Sequence, residues 1–319
     1  MKQENLPFSA VLDALFQDEE VSVPLLYRLS DLPAADLARF WEVWSAAPEE
    51  RRRVIARHMA DIVEDNFVVE FAPYFERFLQ DEVKEVRVAA LDGLWDATDV
   101  RLISPILHLL QTDKSVEVQT AAAAALAHFV LLSEWGEISL NISPRIVGEL
   151  MQVYEAEGTA VATKRAALEA MASANHPRII EFIEAAYQDH LAEMRQSAVF
   201  AMGNNADTRW MPIILQELNS MESEMRAEAA RAAGLIGSSD AVEALANIAQ
   251  EDDEDIALVA IASLGQIGSE EAQEILMRML DDEEFEKLHE VIEEALEEMT
   301  WINQELELFH IDEEDEEED

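Results

Sequence analysis

Residues 224–234 read EMRAEAARAAG, and residues 193–203, which lie 31 positions earlier, read EMRQSAVFAMG. If Arg226 is taken as the anchor of this phrase, an apolar residue lies one position before it, and small or apolar residues lie three and seven positions after it. The pattern recurs in seven places, and the anchors are separated by 32, 45, 31, 31, 31 and 32 residues. The seven anchors are Arg87, Gln119, Lys164, Arg195, Arg226, Ala257 and His289. Self-similarity at such a period is the signature of a repeat architecture.

Each copy predicts two antiparallel helices. The positions −1, +3 and +7 relative to the anchor share one helix face, and the +3 residue is alanine in six copies, as expected where two helices approach closely. A second apolar segment precedes each anchor, and in several copies it has a proline in its opening turn, where the missing N–H has no cost. These prolines are Pro105, Pro144, Pro177 and Pro212. A helical hairpin cannot bury its apolar side alone, so the sequence predicts an all-α fold, a right-handed α-solenoid of stacked antiparallel hairpins.

The residues between and after the helices have predicted roles as well. An aspartate stands six positions before three of the anchors, where we expect it to cap the second helix; these are Asp81, Asp113 and Asp189. We expect five glycines to follow the second helix or to reverse the chain there; these are Gly203, Gly234, Gly265, Gly237 and Gly268. The anchor cations are expected to neutralise nearby acids, including the aspartate of a neighbouring copy.

The opening proline, the aspartate between the helices and the cation in the second helix together resemble the HEAT-repeat family. The stretch DDEDIALVAIASLGQIGSEEAQEILMRML is similar to the phycobilisome-lyase type of these repeats. The resemblance covers about residues 50–300. It implies the armadillo-type solenoid architecture, and among its enzymatic relatives it implies chromophore lyases and isomerases.

The sequence predicts three regions. Residues 1–46 form an irregular N-terminal helical cap, in which Trp41 and Trp44 pack; residues 47–310 form the solenoid; and residues 311–319 form a disordered acidic tail. An insertion at about residues 131–145 accounts for the 45-residue step between anchors. Its glycine and alternating apolar residues suggest a loop or a short extended segment. Trp135 within it is interpreted either as a partner contact or as a cover over part of the core.

Composition constrains location and partners. The chain has no cysteine, no run of 18 apolar residues and no signal-peptide pattern at its N-terminus, which favours a cytoplasmic protein without a membrane span. Its formal net charge is −46. Because cationic side chains supply most of the affinity for phosphate backbones, this charge argues against nucleic acid as a partner.

The acid is concentrated towards the C-terminal end. Residues 251–319 contain 28 acids and two cations, Arg278 and Lys287. Two interpretations remain open: the charge serves solubility, or it attracts a basic segment of another protein, in which case the tail extends the reach of the field.

The motifs of common enzymes are absent. The sequence contains no GxSxG, P-loop, GxGxxG or HExxH motif. His289-Glu290 resembles the His-Glu pairs of the HEAT-type deoxyhypusine hydroxylases, but no other anchor carries such a pair, so a di-iron site cannot be assembled. The sequence therefore predicts no catalytic residue, no metal and no cofactor.

We expect positions +1 and +5 of the second helices to build the inner, concave surface of the solenoid, on which a partner would bind. The candidate partner-binding residues are Val88, Asp92, Glu169, Gln196, Phe200, Arg231, Leu258, Glu290 and Glu294, together with Trp135 of the insertion. Apolar residues surrounded by polar ones suit a protein partner. The predicted function is a non-catalytic scaffold or adaptor that binds a basic or amphipathic segment of another protein. The alternatives are a chromophore lyase or isomerase subunit, and a structural scaffold whose acid serves only solubility.

Overall fold

The computed structural model describes residues 6–65, 68–251 and 253–300, and in these ranges it contains helices and no strand. The α-helices are α1 (Phe8–Gln17), α2 (Val23–Leu26), α3 (Ala34–Ala46), α4 (Glu49–Asp65), α5 (Ala72–Phe78), α6 (Lys84–Asp92), α7 (Ile103–Thr112), α8 (Val116–Glu134), α9 (Ile142–Glu155), α10 (Val161–Met171), α11 (Pro177–Tyr187), α12 (Ala192–Asn205), α13 (Met211–Glu217), α14 (Ser223–Ile236), α15 (Val242–Ile248), α16 (Glu254–Ile267), α17 (Glu270–Leu280) and α18 (289–300).

The chain packs as two compact units, residues 1–174 and 175–319. In the first unit the hairpins are α5/α6, α7/α8 and α9/α10, and in the second they include α11/α12, α13/α14 and α15/α16. We call the first helix of each hairpin the A helix and the second, which carries the anchor, the B helix. In the first unit α4, α6, α8 and α10 pack successively against one another, and in the second α12, α14 and α16 do the same. The predicted all-α solenoid of antiparallel hairpins is confirmed.

The repeated alanines are buried in the stack of helices. All six +3 alanines have no exposed surface; they are Ala90, Ala122, Ala167, Ala198, Ala229 and Ala260. The larger +7 residues Leu126 and Leu264 are buried as well. The small residues at +3 therefore belong to the core of both units.

Three of the glycines are placed differently from the prediction. Gly203, Gly234 and Gly265 lie inside α12, α14 and α16, not after them. They extend the close helix contact: a Cβ built on Gly203 would lie 2.7 Å from the Cα of Ala232. Gly237 and Gly268 end their helices with φ of 71° and 65°, so they do reverse the chain as predicted.

The three aspartates also differ from the prediction, because they do not cap the B helices. Asp113 accepts a hydrogen bond from the backbone N–H of Ser115, which is itself the residue before α8, at 2.9 Å. Asp81 and Asp189 accept equivalent bonds from the N–H groups of Val83 and Leu191. They therefore close the turn between the A and B helices.

The anchor cations link consecutive hairpins. Arg87 donates to both carboxylate oxygens of Asp113 in the next hairpin, at 2.8 and 2.9 Å, and also to the carbonyl oxygen of Asp81 in its own, at 2.7 Å. Arg226 makes the same pair of contacts with Glu251 and with the carbonyl of Ser220. The predicted neutralisation of an acid in a neighbouring copy is thus present for Arg87 and Arg226.

An eighth anchor, missed in the sequence, begins the series. Arg52 of α4 donates to both carboxylate oxygens of Asp81 at 2.7 Å, and Trp44 donates its indole N–H to the same carboxylate at 2.9 Å. Trp44 also stacks on Phe78, at 4.2 Å between ring centroids. The N-terminal tryptophans therefore pack in an aromatic cluster, and Trp44 of this cluster also binds Asp81 of the first ion pair.

The insertion is shorter than predicted and contains no extended strand. Residues 131–134 continue α8, and only residues 135–141 form a loop before α9. The predicted boundaries at 46/47 and 310/311 stay predictions, and the acidic tail 311–319 lies outside the described residues. Among the described residues, α8 alone has the length and composition of a membrane-crossing helix, but half of it is buried against neighbouring helices.

Substitution of Gly203 by alanine tests the close helix contact. Because the new Cβ would meet backbone atoms of α14, we expect the free energy of unfolding to fall by about 1–3 kcal/mol. Urea unfolding of the purified chain measures this. The matched control is Gly148→Ala in α9, where no atom lies within 4 Å of the new Cβ; an equal loss in both variants would contradict the close-contact role.

Substitution of Asp113 by asparagine tests the ion pair between hairpins. Burial alone would raise the pKa of Asp113, but the bonds from Arg87 and from the N–H groups of Ser115 and Lys114 hold that pKa below its ordinary value. A carboxyl with a lowered folded-state pKa stabilises the fold above its unfolded pKa of about 3.9, and this stabilisation is lost as the pH falls through the folded value. Asp113→Asn should therefore cost roughly 3 kcal/mol at neutral pH and reduce the loss of stability on acidification.

Unfolding curves measured from neutral pH to acid pH provide the readout. The control is Glu85→Gln, which removes an exposed partner of Arg53 and should leave the free energy of unfolding almost unchanged. If the free energy of unfolding of the wild type falls no more steeply on acidification than that of Asp113→Asn, the stabilising role of the ion pair is contradicted.

Candidate partner-binding surface

The candidate residues at positions +1 and +5 of the B helices are half-buried or exposed, and their role in binding a partner stays a prediction. In the first unit, Val88 and Asp92 are half-buried on α6, and Glu169 is half-buried on α10. These positions have counterparts on α4 that the sequence analysis missed, Arg53 and Arg57, because α4 had not been recognised as carrying an anchor. Arg52 would have revealed them, since they follow it by one and five positions.

Arg57 brings the candidate residues of α4 and α6 together. Its guanidinium donates to Asp61 on its own helix at 2.7 Å and to Asp92 on α6 at 2.6 Å. Burial alone would lower the pKa of Arg57, but the hydrogen bonds from both carboxylates raise it. Arg57 therefore remains a cation whose charge is more than balanced by its two acids.

An apolar groove lies on one side of Arg57, across α4, α6 and α8. We call it the alanine groove, and its volume is about 680 Å³. It is lined by Arg57, Ala60, Glu64, Leu91, Asp92, Trp95, Ala121, Ala124, Ala125, Ala127 and His128. Five of these side chains are single methyl groups, so the floor lies close to the helix backbones. Trp95 is 44% exposed and presents much of its indole surface there.

Trp95 occupies a position at which most other copies have small residues. It lies eight positions after its anchor, where Ala60, Ala127, Gly203, Gly234 and Gly265 stand in other copies. The sequence prediction did not include Trp95, because it was confined to positions +1 and +5. Alignment of the copies by their anchors would have shown Trp95 at a position that is alanine or glycine in most copies.

Glu64 and His128 complete the lining of the alanine groove. Glu64 is exposed, and the Nε2 atom of His128 is buried without a hydrogen-bond partner among the described residues. The titratable groups at the groove are thus one arginine, three acids including Asp61, and one histidine. The acids outnumber the arginine, which leaves the groove with an anionic rim.

A second cleft of about 650 Å³ lies on the other side of Arg57. It is lined by Arg53, Val54, Arg57, His58, Lys84, Glu85, Val88 and Glu117. Lys84 donates to Glu117 at 2.8 Å, and this bond, with a second from Ser115, lowers the pKa of Glu117 to about 2. Most charges in this cleft are paired with each other, so it offers fewer unpaired groups than the alanine groove.

The second unit contains the other predicted B-helix residues. Gln196 and Phe200 are half-buried on α12, and Leu258 is half-buried on α16. Arg231 on α14 is exposed and donates to the nearly buried Glu228 at 3.0 Å. Glu290 and Glu294 are exposed on α18. These residues occupy equivalent positions on successive B helices of the second unit. Among the described residues they do not form a cluster of paired charges like the one around Arg57.

Trp135 does not lie at a +1 or +5 position of the B helices. It ends α8 and is 70% exposed, so it does not cover the core. His289 stands at the start of α18, and its Nε2 atom is buried without a hydrogen-bond partner. Within the ranges that the structure describes, no group of three or more histidine or carboxylate side chains is arranged to hold a metal ion.

Comparisons with known proteins agree with this architecture. Residues 211–297 match the family model of HEAT repeats. No curated protein sequence matches the chain. Among solved structures, the chain is similar to the complex of CpcE and CpcF of phycocyanin lyase from Nostoc sp. PCC7120, with 17% identity and a TM-score of 0.56 over 83% of this chain and 96% of that chain.

Two further structures share weaker similarity with the chain. Human deoxyhypusine hydroxylase in complex with glycerol is 15% identical, with a TM-score of 0.35 over 92% of this chain and 96% of that one. The Kap95:Nup1 complex is 15% identical, with a TM-score of 0.47 over 92% of this chain and 46% of that one. Residues 211–297 are therefore HEAT repeats, and the fold of the chain is one that lyase subunits share.

Proposed function

We propose that this chain, an α-solenoid with HEAT repeats, is a non-catalytic cytoplasmic scaffold that holds a segment of another protein against its B helices. The alanine groove carries this proposal. The alanine methyl groups of its floor, beside an exposed tryptophan, offer apolar surface that a partner can bury. Tryptophan is among the residues that dominate binding energy at protein interfaces. A surrounding polar rim is typical of protein interfaces.

The charge around the groove favours a basic or amphipathic segment. Arg57 is already bound by Asp61 and Asp92, and Glu64 remains exposed. Those four residues, one arginine and three acids, have a formal net charge of about −2. An apolar side chain of the partner would lie on the alanines, and a neighbouring lysine or arginine would reach the acids. The net charge of −46 would increase the rate of encounter with such a partner.

The second candidate function is a chromophore lyase or isomerase subunit. Its support is the fold shared with the phycocyanin lyase complex, and at 17% identity this likeness concerns the fold alone. Visible absorbance that remains with the purified chain would favour this candidate over the scaffold.

Selection of displayed random peptides on the full chain tests the groove. We expect the enriched peptides to combine a large apolar residue with lysine or arginine. Ala124→Trp would fill the groove from its exposed floor, and we expect it to weaken binding of these peptides by about tenfold or more. Fluorescence anisotropy of labelled peptides measures the affinity.

The matched control is Ala185→Trp, which adds the same side chain at an exposed position of the A helix α11. It should leave the affinity unchanged. Acidic peptides, or peptides that bind the Ala124→Trp variant as well as the wild type, would contradict the proposal.

Salt dependence tests the electrostatic part of the proposal. Because ions screen exposed charges, the association rate of a selected basic peptide should fall severalfold between about 50 mM and about 500 mM salt. Stopped-flow mixing measures this rate, with an uncharged peptide of the same length as control. Equal association rates at both salt concentrations would show that the acidity serves solubility and not attraction.

A further inference from the structure

The loop at residues 135–141 displays two large apolar side chains to solvent. Trp135 is 70% exposed and Leu140 is 67% exposed. Exposed single apolar residues are common, but two of this size within six positions form an apolar patch on the surface. The loop is also an addition to the repeat, because the anchors on either side of it are 45 residues apart and not about 31.

Hydrogen bonds hold this loop in one conformation. Ser133, which has no exposed surface, donates its hydroxyl to the carbonyl of Ser139 at 3.0 Å and accepts from the backbone N–H of Ser143 at 3.0 Å. The N–H groups of Glu137 and Ile138 donate to the carbonyl of Leu132, at 2.9 and 3.3 Å. A single buried hydroxyl thus ties both ends of the loop together.

The backbone of the loop turns at Gly136, whose φ of 78° lies in the left-handed region that glycine adopts without strain. A fixed loop loses less conformational entropy on binding than a mobile one. Trp135 is therefore presented in a preorganised position, and tryptophan is the residue most enriched in interface hot spots.

The charge of the loop restricts what it can bind. Residues 131–144 contain two acids, Glu134 and Glu137, and no lysine or arginine. Glu134 is bound by the hydroxyl of Ser143, whereas Glu137 is exposed and forms no ion pair with the described residues. Glu137, two positions from Trp135, is thus available to a cation of a partner.

Two other occupants fit less well. Segments that bind anionic membrane surfaces carry lysine and arginine, which this loop lacks. A second copy of the chain would bring a net charge of −46 against the same charge, which opposes association. The chemistry therefore favours a different protein with complementary charge.

We propose that the loop 135–141 inserts Trp135 into an apolar pocket of a partner protein, and that a lysine or arginine beside this pocket pairs with Glu137. This inference rests on the proposed scaffold function, because it requires a protein partner. It adds a contact separate from the alanine groove, at the opposite end of α8 from the anchor Gln119. Leu140 widens the apolar contact at the rim of the pocket.

Photo-crosslinking with the full chain tests the proposal. A benzophenone amino acid in place of Leu140 is irradiated in an extract of the source cells, and the adduct is mapped by mass spectrometry. We expect an adduct with one protein, next to an apolar pocket that contains lysine or arginine. The adduct should be absent when Trp135→Ala is added and present when Met221→Ala is added, since Met221 is 99% exposed in the other unit.

The captured protein is then purified, and its affinity for the full chain is measured. We expect Trp135→Ala to weaken binding about 30-fold and Glu137→Lys about fivefold, with Met221→Ala unchanged. Thermal unfolding should be the same in all three variants, because the three side chains are exposed.

Several results would overturn the proposal. These are no adduct, an adduct only with a second copy of this chain, unchanged affinity of Trp135→Ala, or Trp135-dependent retention on vesicles of phosphatidylcholine and phosphatidylserine. The selection of peptides that bind the alanine groove distinguishes a failure of the loop proposal from a failure of the proposed scaffold function. If Ala124→Trp reduces peptide binding while the loop captures nothing, only the loop proposal fails.

Discussion

The close contact between neighbouring B helices is the constraint on which the rest of the structure depends. Alanine at +3 has no exposed surface in any of the six copies that carry it, and glycine at +8 brings α12, α14 and α16 still closer to the next helix. Because the B helices meet through such small side chains, each A helix has to cover the wider space behind them with leucine, isoleucine and phenylalanine. Other alanines of α4 and α8, none of them at +3, form the floor of the alanine groove.

The charged side chains of this chain have two locations: some form ion pairs between stacked hairpins, and the others lie on the surface. The chain has 22 cations and 68 acids, and the anchors Arg52, Arg87 and Arg226 each use a cation inside the stack, against an acid of the next hairpin. Such pairs are largely removed from solvent, so they do little to neutralise the exterior. Each pair removes one cation and one acid together, so the excess of acids over cations in the chain stays at the surface.

The sequence predicted the repeat, the hairpins and the buried alanines, because each depends on periodicity, which is visible in the letters. It indicated a degenerate copy over α3 and α4 but did not assign Arg52 as its anchor, since the residue before Arg52 is Arg51 and not an apolar one. It misplaced Gly203, Gly234 and Gly265, because a glycine near the end of a helical pattern resembles a terminator, and only the distance to the neighbouring helix shows its role. The face of the candidate site followed from +1 and +5, but the groove depends on Trp95 and on which helices lie side by side, and neither follows from one copy alone.

The buried hydroxyl of Ser133 attaches the loop 135–141 to the helices that support it. Its two hydrogen bonds fasten the loop at the junction of α8 and α9, and Trp135 and Leu140 of the loop are exposed. The identity of those few exposed positions is consequently free to vary without disturbing the repeats. A scaffold of this kind can exchange one docking element for another, so that what it recognises evolves independently of how it folds.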